Sequence, residues 1–247
     1  VAGGFATFGQ SRAGKREKKM RLAGLVVLLL GLGLAGCAPP PAPPGAPPAP
    51  GAGLPSPEVA ARNFVAVVER VEPVAEALCR QEAPQLDCDY RIVVDTRTDQ
   101  PPNALHTIGP GGEPIIGFNI ALIANVRNQD ELAFILGHEA AHHIAGQSPR
   151  QRASALQGAV LAGALATLQG ADAATIRRAR DFGAAVGARR YSKDFELEAD
   201  ALGTVIAYRA GYDPARGAEY FARIPDPGNR FLGTHPPNAA RVGTVQE

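Results

Sequence analysis

The chain has 247 residues, 45% of them hydrophobic, which is enough to build a core in one large domain or two small ones. Its formal charge of +1 conceals an asymmetry: six of the 25 basic residues and one of the 24 acidic ones precede Cys37, leaving 19 basic against 23 acidic, a net −4, beyond it. That balance gives no electrostatic case for nucleic-acid binding.

Residues 1–36 read as an export signal. Basic residues run from Arg12 to Arg21, thirteen apolar residues follow from Leu22 to Leu34, and the small Ala35 and Gly36 precede Cys37. Thirteen residues suit a signal peptide and fall short of the ~20 that span a bilayer. Met20, the single methionine, offers an alternative start just ahead of that run. The stretch LAGC resembles a bacterial lipobox, which implies cleavage before Cys37 and lipid attachment to it; a noncleaved anchor is the competing reading. Residues 37–57 are rich in proline, cannot build a core and form an extended tether, so the domain proper is expected at 58–247.

From Pro57, apolar residues at Val59, Phe64, Val67, Val68 and Val71 recur near helical spacing, and Val74, Ala77 and Leu78 carry the pattern past Pro73. Cys79 and Cys88 are the two cysteines beyond Cys37. An exported chain meets an oxidising compartment, so they are expected to form a disulfide contributing about 2 to 3 kcal/mol. Two zinc ligands is the weaker alternative, because a structural zinc site wants four closely grouped donors.

Tyr90–Asp95 is β-branched and reads as a strand; a second strand is expected over Glu113–Asn119, entered through the Gly-Pro-Gly-Gly turn at 109–112. His106, between them, is assigned to a loop. Asn128 followed by Glu131 approximates a capping box opening a helix that runs to about Ile144 and stops at Gly146. On a projection of about 100° per residue, Leu132, Ala133, Leu136, Ala140 and Ile144 form its core stripe. His138 and His142 fall on another face with Glu139 at its edge, and His143 points outward. Residues 153–186, dominated by alanine, glycine and leucine, predict buried or groove-lining helices, with a membrane-dipping hairpin as the alternative. A further helix follows Ser192 and ends near Gly211, since Pro214 forbids continuation. A small sheet beside helices makes the fold class α+β.

His138, Glu139 and His142 form an HExxH pattern. Residues i and i+4 of a helix lie about 40° apart in projection and about 6 Å apart along its axis, so two imidazoles converge on one ion. Glu139, beside them, is placed to take a proton from water attacking a carbonyl. An accidental pair of surface histidines would sit among lysines and glutamines. Here the flanks are ELAFILG and AAHHIAG, where polar groups are costly unless a metal relieves them. A catalytic zinc needs a third protein ligand and one open position. Glu196, Glu198 and Asp200 are the donors on the next predicted helix; spacing does not choose between Glu196 and Glu198.

HExxH, then a helix with ExxxD containing EAD, then AGYDP at 210–214 and THPPNAARV at 234–242, resembles the gluzincin zinc metallopeptidases that include the CAAX prenyl protease, HtpX, BepA and LoiP. The resemblance implies a zincin-like domain with one Zn2+ held by His138, His142 and Glu196, Glu139 as base, and Asp200 orienting a ligand histidine or assisting proton transfer. It makes His235 a latch over the metal; a loop histidine capping the last helix is the plainer account. It also suggests that the 114–119 strand is an exposed edge for substrate backbone; ordinary sheet structure is the plainer account. Without spanning helices the chain is expected to be a tethered domain facing the periplasm, on the outer membrane because Ala38 is not aspartate. Expected partners are unfolded or misfolded envelope proteins, with outer-membrane assembly machinery as a candidate. Two rival functions are a chaperone-like zinc lipoprotein and a hydrolase of cell-wall peptides.

Overall fold

A long N-terminal helix, α1 (Pro57–Glu82), starts the domain in the computed structural model, which describes residues 5–7 and 53–247 apart from 191, 231, 232 and 234. Cys37, the apolar signal run and the tether up to residue 52 lie outside the described residues. Ser56 caps α1 by accepting the Val59 N–H at 3.4 Å, and Pro57 takes the first turn, where its missing N–H leaves nothing unsatisfied. Pro73 is accommodated within one continuous helix, and its buried face, including Phe64, Val67, Val71 and Leu78, joins the core. Cys79 and Cys88 form the expected disulfide, with Cα atoms 5.7 Å apart, tying the end of α1 to the chain entering the sheet.

The strands are β1 (Phe5–Thr7), β2 (Arg91–Asp95), β3 (Ala104–Ile108) and β4 (Pro114–Asn119), in the order β1-β2-β4-β3. β4 runs parallel to β2 and antiparallel to β3, with Val93 opposite Gly117 and His106 opposite Ile116. The 114–119 strand is therefore internal, contrary to the expected exposed edge. That edge belongs to β3, a strand the sequence reading missed by assigning His106 to a loop.

Asn119 ends the sheet and caps α2 (Ile120–Asn125), accepting the Leu122 N–H at 2.9 Å. Next comes α3 (Gln129–Ile144), whose cap is Asn128, accepting the Glu131 N–H at 3.0 Å. The Glu131 carboxylate reciprocates one residue earlier than a capping box would, at the Arg127 N–H, and is also paired with Arg223. α3 is buried on nearly every side, not along one stripe, because α1, the sheet and the C-terminal helices enclose it.

This enclosure turns His143 inward, where outward had been expected. It is buried, 2.7 Å from the Asp87 carbonyl through Nε2 and packed against the rings of Tyr90 and His106. α4 (Gln147–Leu168) and α5 (Ala173–Arg189) pair as a hairpin. Their facing glycines allow near backbone contact: a Cβ on Gly183 would stand 2.2 Å from the Gly158 carbonyl oxygen. Burial was expected here, yet among the described residues of the two helices only Gln147, Gly163, Ala166 and Gly183 are buried.

α6 (Ser192–Arg209) returns against α3 and ends at Gly211, which takes φ +86°. The short α7 (Pro214–Gly217), a 3-10 turn (Ala218–Ala222) and α8 (Asn238–Gln246) close the domain. The architecture is α+β, mostly helical with a small sheet beside α3, as expected.

Candidate metal centre

The site is assembled where α6 crosses α3. A Cβ on Gly203 would lie 2.8 Å from the His138 amide nitrogen, and one on Gly137 would lie 2.8 Å from the Gly203 carbonyl oxygen. Glycine at both positions lets the two backbones meet, and that closeness brings the acids of α6 to the imidazoles of α3.

The Nε2 atoms of His138 and His142 face each other at 3.1 Å. The Glu196 carboxylate completes a triangle, with Oε2 3.7 Å from His138 Nε2 and Oε1 3.7 Å from His142 Nε2. One donor atom from each of the three residues lies within 4.8 Å of the others. Neighbouring donors around a tetrahedral ion with bonds of 2.0–2.1 Å sit about 3.3 Å apart, so the set fits Zn2+ in spacing and chemistry.

Proton placement supports the same fit. His138 Nδ1 lies 2.9 Å from the Asp200 carboxylate, and His142 Nδ1 lies 2.6 Å from Gln147 Oε1. The Gln147 amide orientation follows from its nitrogen, which donates to the Phe195 carbonyl at 2.8 Å and to Glu198 at 3.1 Å. Nδ1 of each ring therefore faces an oxygen acceptor, which leaves the two Nε2 atoms as the nitrogens that would meet a cation.

Asp200 is fully buried and held by Arg241, whose Nε donates at 2.8 Å and NH2 at 2.6 Å. The same guanidinium lies 3.8 Å from Glu196. Burial by itself would push the Glu196 carboxyl up; the His235 hydrogen bond and the charges of His138, His142 and Arg241 outweigh it and hold it at about 2. Of the two acids that spacing left open, Glu196 lies in the triangle and Glu198 points away from it, to Arg150 at 2.7 Å. His235 Nδ1 is 2.9 Å from Glu196 Oε2 and reaches the site through that acid. At the start of α8 the Asn238 N–H donates to Asp226 Oδ1 at 3.3 Å.

The triangle opens into a cavity of about 820 Å³ whose lining includes Glu139, His235, Arg241 and residues 101–106 at the β3 edge. Helices on either side of an imidazole pair, with acids below and an open cleft above, suit metal-assisted hydrolysis. A family model, Peptidase family M48, matches residues 63–247. The chain belongs to peptidase family M48. A comparison with curated proteins finds no match. The M48 domain is that of a metallopeptidase and implies a metal cofactor.

Two residues of this M48 site escaped sequence reasoning. Gln147 was hidden because an amide carries no metal-ligand signature, although it lies five residues after His142. Arg241 stands in the THPPNAARV segment already singled out, yet its partner Asp200 is 41 residues away.

Proposed function

We propose that this M48 domain is a zinc metalloendopeptidase of the bacterial cell envelope, akin to the periplasmic BepA and LoiP proteins. In this reading it is lipid-anchored at Cys37, outer-membrane bound and faces the periplasm. Its substrates are misfolded or stalled envelope proteins, and outer-membrane assembly machinery is its candidate partner. The observation that carries the reading is the convergence of His138, His142 and Glu196 beside Glu139 in one open cleft.

Zinc, when bound, supplies a Lewis acid that makes water nucleophilic at neutral pH and polarises the scissile carbonyl. His138, His142 and Glu196 would hold it. Glu139 accepts the proton from the attacking water and passes it to the leaving amine nitrogen. Asp200, enclosed and absent from the cavity lining, positions His138 instead of exchanging protons with substrate, and Arg241 balances its charge. The β3 edge pairs with an extended substrate backbone, a mode that tolerates many side chains. His235 acts as a latch through its bond to Glu196.

The test uses the exported, processed protein. One zinc per chain and cleavage of an unfolded protein are expected, with Glu139→Gln retaining metal while the rate falls by about 10²- to 10⁴-fold. Metal retained without cleavage in either form supports the chaperone-like reading. Turnover of cell-wall peptides in place of denatured protein supports the other rival.

A further inference from the structure

The α4–α5 hairpin differs from every other part of the domain in what it leaves uncovered. The five most exposed large aliphatic side chains among the described residues, Leu156, Val160, Leu161, Leu165 and Leu168, all lie on α4, with Leu161 at 71% and Leu168 at 85% exposure. Phe182 on α5 adds an aromatic ring at 69%. On a helical projection, Leu156 and Val160 lie on one flank of α4 and Leu161, Leu165 and Leu168 on the other, and α5 covers the remaining side. Beyond Arg152 the helix therefore carries no charge, since residues 153–171 contain none, and its exposed surface there is mostly aliphatic. An uncharged leucine-rich surface of this kind is suited to being covered.

Charge indicates what that something is. Residues 147–190 hold seven of the 19 basic residues beyond Cys37 and two of the 23 acids, a net +5, while the rest of that region carries −9. Arg177 and Arg178 are exposed on α5, alongside the apolar α4. Two such hairpins facing one another would repel, which disfavours a second copy joined through this surface. No helix among the described residues is long and apolar enough to cross a membrane, so the surface suits lying in an interface, not spanning it.

We propose that the α4–α5 hairpin docks on an anionic lipid bilayer, with the α4 leucines and Phe182 entering the acyl boundary and the α5 arginines resting on the headgroups. The surface is separate from the hydrolytic chemistry and is tested without substrate.

The chain contains no tryptophan, so one introduced indole reports its own surroundings. Leu168→Trp and Phe182→Trp are compared with Tyr208→Trp, an exposed position on α6, in the full exported protein. On phosphatidylcholine vesicles with about 30% phosphatidylglycerol, both hairpin indoles are expected to shift to the blue by about 10 nm and be quenched by brominated lipid, the control being unchanged. Arg177→Glu with Arg178→Glu, or purely zwitterionic vesicles, should abolish most of that quenching. Leu161→Glu with Leu165→Glu should abolish quenching at position 182 with an unchanged melting temperature, since both leucines are exposed. Because any lipid anchor retains the protein on vesicles in every arm, the readout isolates the hairpin. Solvent-like emission at 168 and 182 on anionic vesicles overturns the proposal. So does a blue shift already present without vesicles, which would mean that another copy or another segment covers the surface. An equal response on neutral lipid also overturns it.

Discussion

The α3–α6 crossing and the α4–α5 hairpin are both helix pairs drawn together by facing glycines, yet they finish in opposite states. At the crossing, Gly137 and Gly203 bring the helices close and surrounding elements pack around them, and buried charges there are paired: Asp200 with Arg241, Glu131 with Arg223, Glu196 with two imidazoles. In the hairpin, Gly158 and Gly183 do the same for the backbone, but nothing in the described domain covers the outer faces. Close approach alone does not make a site. Enclosure, which forces polar groups into a mutually satisfied set, does.

That contrast can be broken most severely at its buried charge pair. Asp200→Ala leaves the Arg241 guanidinium without its carboxylate and His138 without its orienting acceptor, so a loss of about 3 to 5 kcal/mol in unfolding free energy is expected, measurable by urea titration. The glycines come next. Gly203→Ala places a methyl against the α3 backbone and should cost about 1 to 3 kcal/mol together with zinc affinity. Gly183→Ala forces a closer clash, 2.2 Å from the Gly158 carbonyl oxygen, but should loosen only the hairpin and leave zinc content intact by metal analysis.

A smaller effect is expected at Gln147→Ala, which removes the acceptor of His142 Nδ1 and should weaken zinc binding about 10- to 100-fold in a chelator competition. A pH-dependent effect is expected at His106, whose imidazole is held down at about 4 by burial and by the neighbouring His143 and His142, and whose Nε2 is buried without a partner. The folded state thus rejects a proton that the unfolded chain accepts near 6.5. Its contribution is complete above that pH and is lost as the pH falls from about 6.5 to 4. His106→Leu should therefore lose less stability across this window than the parent, as read by melting temperature against pH.

What the sequence made legible were features written in short range. Asn128 and Glu131 mark the start of α3 three residues apart; HExxH sets two imidazoles on one helix; Cys79 and Cys88 enclose a short loop. What stayed hidden depends on partners far along the chain. The strand order is one case, since nothing within residues 114–119 says that β2 lies on one side and β3 on the other. His143 is another: a single apolar stripe predicts it outward, and only the arrival of the 87–90 segment and β3 makes that side interior. The surplus of leucine on α4 was visible, but surplus apolar content reads as core until the fold shows that no other described element sits on it.

Gln147 belongs to both regions at once. It is the first residue of α4, and its amide grips the His142 imidazole, the α6 backbone at Phe195 and the Glu198 carboxylate. The base of the hairpin is thus wired to the coordination sphere by a single side chain. The orientation of the His142 imidazole is therefore tied to how the first turn of the hairpin is seated.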